Sequence, residues 1–143
     1  ALRKDMADKA QKTYTIIDLG AGNGHFSRDI AKNIPEAHII GLEISKFSIF
    51  KANLHNKFSK IKNLEYIQAD FFEYDLSKTD AVVLYLTLYE MGRIGEKLKT
   101  DLKPGALIAC NRFALKAGWQ PETILEIETS IPFQKTINIY RQT

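Results

Sequence analysis

One glycine-rich turn constrains this chain more than any other feature. Residues 16–26 read I-I-D-L-G-A-G-N-G-H-F: a β-branched run, an acid, then glycine at every second position before a helical pattern begins. Glycines so spaced accept left-handed dihedrals and let the main chain approach a ligand more closely than a Cβ would permit. The acid, Asp18, lies at the carboxyl end of the strand, where open α/β sheets bind their ligands. Two phosphate-binding turns are excluded by spacing. A G-x-G-x-x-G fingerprint starting at Gly20 needs a third glycine at position 25, which is His25. A P-loop needs a Gly-Lys-Ser/Thr ending, and the chain contains none. The turn is therefore expected to hold a ligand without gripping a pyrophosphate.

The rest of the chain alternates strand and helix patterns. Residues 2–12 are charged and helix-compatible, and Tyr14 to Leu19 reads as the first strand. The helix after the glycines carries Phe26, Ile30 and Ile34 on one face and is closed by Pro35. Ala37 to Ile44 is a continuous apolar run of the kind buried on both faces of a parallel sheet. From Lys46 to Ser59 the pattern predicts a helix with Phe47, Phe50, Leu54 and Phe58 inward and its lysines on a solvated face. Strands are expected at 64–69 and 81–86, then a helix at about 88–102 with Leu88, Met91, Ile94, Leu98 and Leu102 inward. Lys103-Pro104-Gly105 ends that helix, and a strand follows at 106–113. Segments 124–130 and 135–140 read as a terminal hairpin. The expected fold is a doubly wound, Rossmann-like α/β domain spanning residues 1–143, its sheet mostly parallel with a C-terminal antiparallel hairpin.

Three successive strands end in acids: Asp18, Glu43 and Asp70. In a parallel sheet such ends share one edge, so the carboxylates are expected to converge on a single crevice. The turn D-L-G-A-G-N-G-H-F resembles motif I of the class I S-adenosylmethionine (SAM) methyltransferases. Leu42-Glu43-Ile44-Ser45 resembles their motif II and Gln68-Ala69-Asp70-Phe71 their motif III. The resemblance spans residues 14–113 and implies a seven-stranded sheet with SAM as cofactor. It also implies roles. Glu43 would accept the ribose hydroxyls and Asp70 the adenine amine, while Phe71 or Ile44 covers the ring. Gly20, Gly22 and Gly24 would admit the methionine portion, with Asp18 orienting its ammonium group directly or through water.

The loop after the fourth strand faces the methyl group in such enzymes, placing Tyr85, Tyr89 and Glu90 near the acceptor and Tyr85 beside the cofactor. Leu84-Tyr85-Leu86-Thr87 stands where methylases of amides and nucleobase amines usually carry an Asn/Asp-Pro-Pro-Tyr-like motif. The stretch from Asp80 to Trp119, with Ala109-Cys110-Asn111-Arg112-Phe113 ahead of the tryptophan, is similar to a family of small protein-lysine methyltransferases. That family includes the mitochondrial enzymes acting on an ATP synthase subunit and archaeal members; Asn23 stands where its motif I usually has an acid. The resemblance implies N-methylation of a protein lysine, with Tyr85 and Glu90 positioning the amine and Tyr89 and Trp119 as further walls. An RNA or small-molecule acceptor, and a SAM-binding module without catalysis, remain as alternatives.

Composition narrows the setting. A net charge of +3 makes no demand for nucleic acid, and the protein substrate is what the resemblance implies, with nucleic acid possible but not favoured. Cys110 is the only cysteine and sits in an apolar run, so it reads as an inert buried thiol. His25, His38 and His55 lack metal-ligand spacing, and no metal is expected. No apolar run reaches the length of a membrane span, and a cytoplasmic setting is expected. The chain begins at Ala1 without a methionine, which leaves room for upstream residues that would complete an acceptor pocket.

Overall fold

The computed structural model describes residues 1–9, 13–128 and 136–143. In chain order the elements are α1 (Leu2–Lys9), β1 (Tyr14–Leu19), α2 (His25–Asn33), β2 (Ala37–Glu43), α3 (Lys46–Ser59) and β3 (Leu64–Gln68). They continue with β4 (Ala81–Leu84), α4 (Leu88–Asp101), β5 (Leu107–Asn111), β6 (Thr123–Glu126) and β7 (Thr136–Arg141). The strands form one seven-stranded sheet in the order β3-β2-β1-β4-β5-β7-β6. Strands β1 to β5 are parallel, β7 is antiparallel to β5, and β6 is antiparallel to β7. Chain progression reverses between β1 and β4, and a ligand crevice opens at such a switch point.

Both faces of the sheet are covered, which is why its central strands are apolar without alternation. On one face Leu19, Leu42, Val82 and Leu84 pack beneath Met91, Ile94 and Leu98 of α4. On the other, Ile16, Ile39 and Val83 join Ile30 and Ile34 of the α2 segment and Ala52 of α3. Tyr140 in β7 is fully buried, and its hydroxyl accepts the Leu115 N–H at 2.9 Å.

The strands stop sooner than their apolar runs. β2 ends at Glu43 and leaves Ile44 exposed, and β4 ends at Leu84, two residues short of Leu86. β5 ends at Asn111, where Arg112 adopts φ 73° and turns the chain away from the sheet. The terminal hairpin is present as β6 and β7, and the expected strand residues 129–130 and 135 lie outside the described residues. So do 10–12, the end of the first expected helix.

Helix α3 departs most from expectation. Phe47, Phe50, Leu54 and Phe58 face solvent, and its buried residue is Ala52. Asn56 explains the orientation: its side-chain amide donates to Leu64 O of β3 at 3.1 Å. That bond turns the stripe of Ile49, Ala52 and Asn56 toward the sheet, and the phenylalanines occupy the opposite side. The lysines of this segment are exposed, as expected. Smaller departures occur at Phe26 (44% exposed) and Leu88 (59% exposed), each in the first turn of a helix where it leaves the sheet edge.

Candidate functional site

Gly20, Gly22 and Gly24 all adopt left-handed dihedrals, with φ of 76°, 54° and 74°. The Gly20 and Ala21 N–H groups both donate to Leu42 O at 2.9 Å, which pins the turn to β2. Gly24 caps α2, and its carbonyl accepts the Tyr66 hydroxyl from β3 at 2.9 Å. Tyr66 and the short side chains around it thus set the height of the turn above the sheet. Nothing near Tyr66 in the sequence marks this role, because its partner lies 42 residues away.

Asp18 sits behind this turn and does not line the crevice. On β1 it shares the α2 face with Ile16, is 3% exposed, and accepts the Ser27 hydroxyl at 2.5 Å. Burial pushes its carboxyl from 3.8 up to about 6, with the nearby Glu43 charge adding to the rise and the Ser27 hydrogen bond opposing it. The folded protein therefore holds this proton more tightly than the unfolded chain between about pH 4 and pH 6. Stability of the unliganded protein is expected to fall across that window as pH rises, by on the order of 3 kcal/mol, and to stay lowered above it. Asp18→Asn keeps an acceptor for Ser27 and should flatten the profile, which denaturant melts at a series of pH values will show. An unchanged profile would assign the proton elsewhere.

The crevice itself is a cavity of about 390 Å³, within the range of small-molecule sites. Gly20, Glu43 and Ile44 form one wall, and Asp70, Phe71 and Phe72 come from the loop after β3. Thr87, Tyr89, Glu90 and Arg93 at the start of α4 close the other side. The Glu43 carboxylate accepts the Gly22 and Ser45 N–H groups, each at 2.9 Å. A carboxylate has about four acceptor positions, so two remain for a ligand. One Asp70 oxygen accepts the Phe72 N–H at 2.8 Å, which holds the side chain and leaves its second oxygen available. The Phe71 and Phe72 rings lie 4.7 Å apart at a tilt of 41°, and the Arg93 guanidinium covers Phe72 at 4.2 Å.

Of the expected acceptor residues, Glu90 is held locally. Its carboxylate accepts the Thr87 N–H at 2.9 Å and the Thr87 hydroxyl at 2.7 Å, a reciprocal cap on α4. Glu90 and Tyr89 share the cavity with Glu43 and Asp70, whereas Tyr85 lies outside it and is 45% exposed. Trp119 is committed elsewhere: its indole N–H donates to Gly95 O at 2.9 Å and its ring meets Tyr140 edge-on. Cys110 is buried, and burial pushes its thiol up, away from reactivity. Among the described residues no three metal-ligating side chains gather. A second groove of about 350 Å³, lined by Leu2, Phe26, Val83, Ala109, Leu125 and Ile139 among others, holds none of the three carboxylates.

Residues 18–123 match the family described as the ANTKMT methyltransferase domain. The chain belongs to that family. Within it and beyond, the chain is 26% identical over 121 residues to a protein-lysine N-methyltransferase of Saccharolobus islandicus, covering 84% of this chain and 74% of that one. It is 29% identical over 103 residues to a probable ribosomal RNA small subunit methyltransferase A of Methanosarcina acetivorans, covering 71% of this chain and 37% of that enzyme. A solved RNA methyltransferase of Salinibacter ruber, in complex with S-adenosylhomocysteine, shares the fold with a TM-score of 0.80 at 24% identity, over 98% of this chain and 89% of that one. Apart from the archaeal lysine enzyme, the chain spans less than half the length of the curated relatives it matches.

As an ANTKMT methyltransferase domain, the protein is a SAM-dependent methyltransferase. The crevice suits that cofactor. A Cβ built on Gly22 meets nothing within 4 Å, so the turn leaves open space where a ligand can lie against main chain. Glu43 and Asp70 line the crevice with carboxylate acceptor positions still open. No helix among the described residues is long and apolar enough to cross a membrane.

Proposed function

We propose that this domain methylates the side-chain amine of a protein lysine. The similarity to a protein-lysine N-methyltransferase over 84% of the chain carries this reading. The loop Leu84-Tyr85-Leu86-Thr87 supports it by lacking the Asn/Asp-Pro-Pro-Tyr-like arrangement of amide and nucleobase-amine methylases.

When bound, SAM supplies a methyl group made electrophilic by its positively charged sulfur. The protein contributes placement, which accounts for much of the acceleration of a direct displacement. Glu43 would hold the ribose hydroxyls with its two remaining acceptor positions, and Asp70 would accept from the adenine amine, with Ile44 or Phe71 available to cover the ring. Asp18 keeps Ser27 and the first turn of α2 in register from behind the turn, and its carboxylate would help orient the methionine ammonium through that turn or a water. Before it attacks, the lysine nitrogen must lose a proton, and the half-exposed Tyr85 ring on the loop after β4 would become an aromatic wall favouring the neutral amine once the substrate covers it. Glu90 contributes through its cap on Thr87, which sets where α4 begins.

Incubating the protein with methyl-tritiated SAM and a cell extract is the direct test, followed by hydrolysis of the protein and RNA fractions. Label in methyl-lysine is expected. Label confined to RNA would replace this acceptor with RNA, and SAM binding with no label in either fraction would make the domain a binding module. Tyr85→Ala is expected to lower turnover tenfold or more with SAM affinity unchanged, the pattern of an interaction made in the transition state. Because Tyr85 is 45% exposed, its loss should barely shift the melting temperature. Normal turnover per folded molecule would remove Tyr85 from the acceptor site.

A further inference from the structure

Helix α3 turns its bulkiest side chains outward. Phe47, Phe50, Leu54 and Phe58 are 65%, 64%, 44% and 76% exposed, and their spacing of three and four residues aligns them as one stripe. Scattered exposed apolar residues are ordinary, but a contiguous patch with three phenylalanines marks a contact surface.

Its charge identifies the partner. The segment 44–64 carries five lysines and neither an acid nor an arginine, and all five lysines are exposed. At about 100° per residue, Lys51 flanks the stripe on one side and Lys46 and Lys57 on the other. The Lys51 ammonium lies over the Phe47 ring, 4.4 Å from its centre, a cation–π contact that keeps a positive charge beside the stripe.

We propose that α3 docks the protein on an anionic lipid surface. The phenylalanine stripe enters the boundary between headgroups and acyl chains, and the flanking lysines meet the negative headgroups. Phe and Leu on one face with Lys beside them is the composition of helices that lie in that interface. Pairing with a second copy through the same face would set lysine against lysine with no acid in the segment to meet it. RNA fits less well, because Leu54 offers no π face to a base and no arginine stands by the stripe.

Flotation of the 143-residue protein with phosphatidylcholine vesicles, with and without phosphatidylserine, tests this. Binding is expected to require phosphatidylserine and to weaken with salt. The double variant Phe47→Ser, Phe50→Ser should bind at least tenfold more weakly while melting and binding SAM as the parent does, since both side chains lie in solvent. Lys51→Glu with Lys57→Glu should abolish the preference for phosphatidylserine. No binding to either vesicle, or binding that ignores the phenylalanine variant, would overturn the proposal. Retention of a single-stranded uridine oligonucleotide that the same variant loses, without vesicle binding, would give this face to RNA.

Discussion

Gly22→Val is expected to leave a folded protein that no longer binds SAM, while Gly24→Ala is expected to damage the fold itself. Both glycines adopt positive φ, which costs a residue with a Cβ about 1–2 kcal/mol. They differ in what the new side chain meets. At Gly22 there is nothing within 4 Å, so the added valine would occupy the open volume proposed for the ligand. At Gly24 a Cβ would overlap the Tyr66 phenol and break the hydrogen bond from Tyr66 to the Gly24 carbonyl. Overpacking of that kind adds about 1–3 kcal/mol, so the melting temperature should fall by on the order of 10 °C. Gly22→Val should lower it by only a few degrees and weaken SAM at least a hundredfold. Thermal melts beside titration calorimetry separate the two, and normal SAM binding by Gly22→Val would show that this turn does not carry the cofactor.

The second large effect is expected at Glu43. Glu43→Ala removes the partner of the Gly22 and Ser45 N–H groups together with the acceptors proposed for the ribose. Hydrogen bonds to a charged group contribute about 1.5–3 kcal/mol, so SAM affinity should fall roughly tenfold to 150-fold. The stability loss should be smaller, because Glu43 is only half-buried and water can reach the two freed N–H groups. Glu43→Gln retains an acceptor and should recover part of the affinity. An alanine variant that binds SAM like the parent would move the ribose contact to another residue.

The order of strands and helices, the parallel sheet and its antiparallel end were all legible in the residues, as was the placement of Glu43 and Asp70 at the crevice. Period-two and period-3.6 patterns report burial along one element, and Pro, Gly and the acids mark where elements end. The two-sided burial of Val82 and Val83 in β4 belongs to the same class of information. What escaped was which way an element faces. Asp18 was expected at the crevice with the other two acids. The alternation along β1 put it on the α2 side instead, where Ser27 holds it. The α3 pattern contains two stripes, and Asn56 with its bond to β3 selected the smaller one for the interior.

By itself, then, the sequence determined the turn at residues 20–24, because positive φ is a local property that glycine alone supplies cheaply. It determined the family too, since the match over 18–123 is made on the amino-acid sequence. Tertiary structure alone decided that Glu43 holds Gly22, that Tyr66 supports Gly24 and that Trp119 serves α4, whereas the cap of Glu90 on Thr87 is a local Thr-x-x-Glu pattern. The first three join residues far apart in sequence and depend on how whole elements pack. The free energy of such contacts comes from the assembled sheet and its two covering layers, and no pattern within a single segment encodes it.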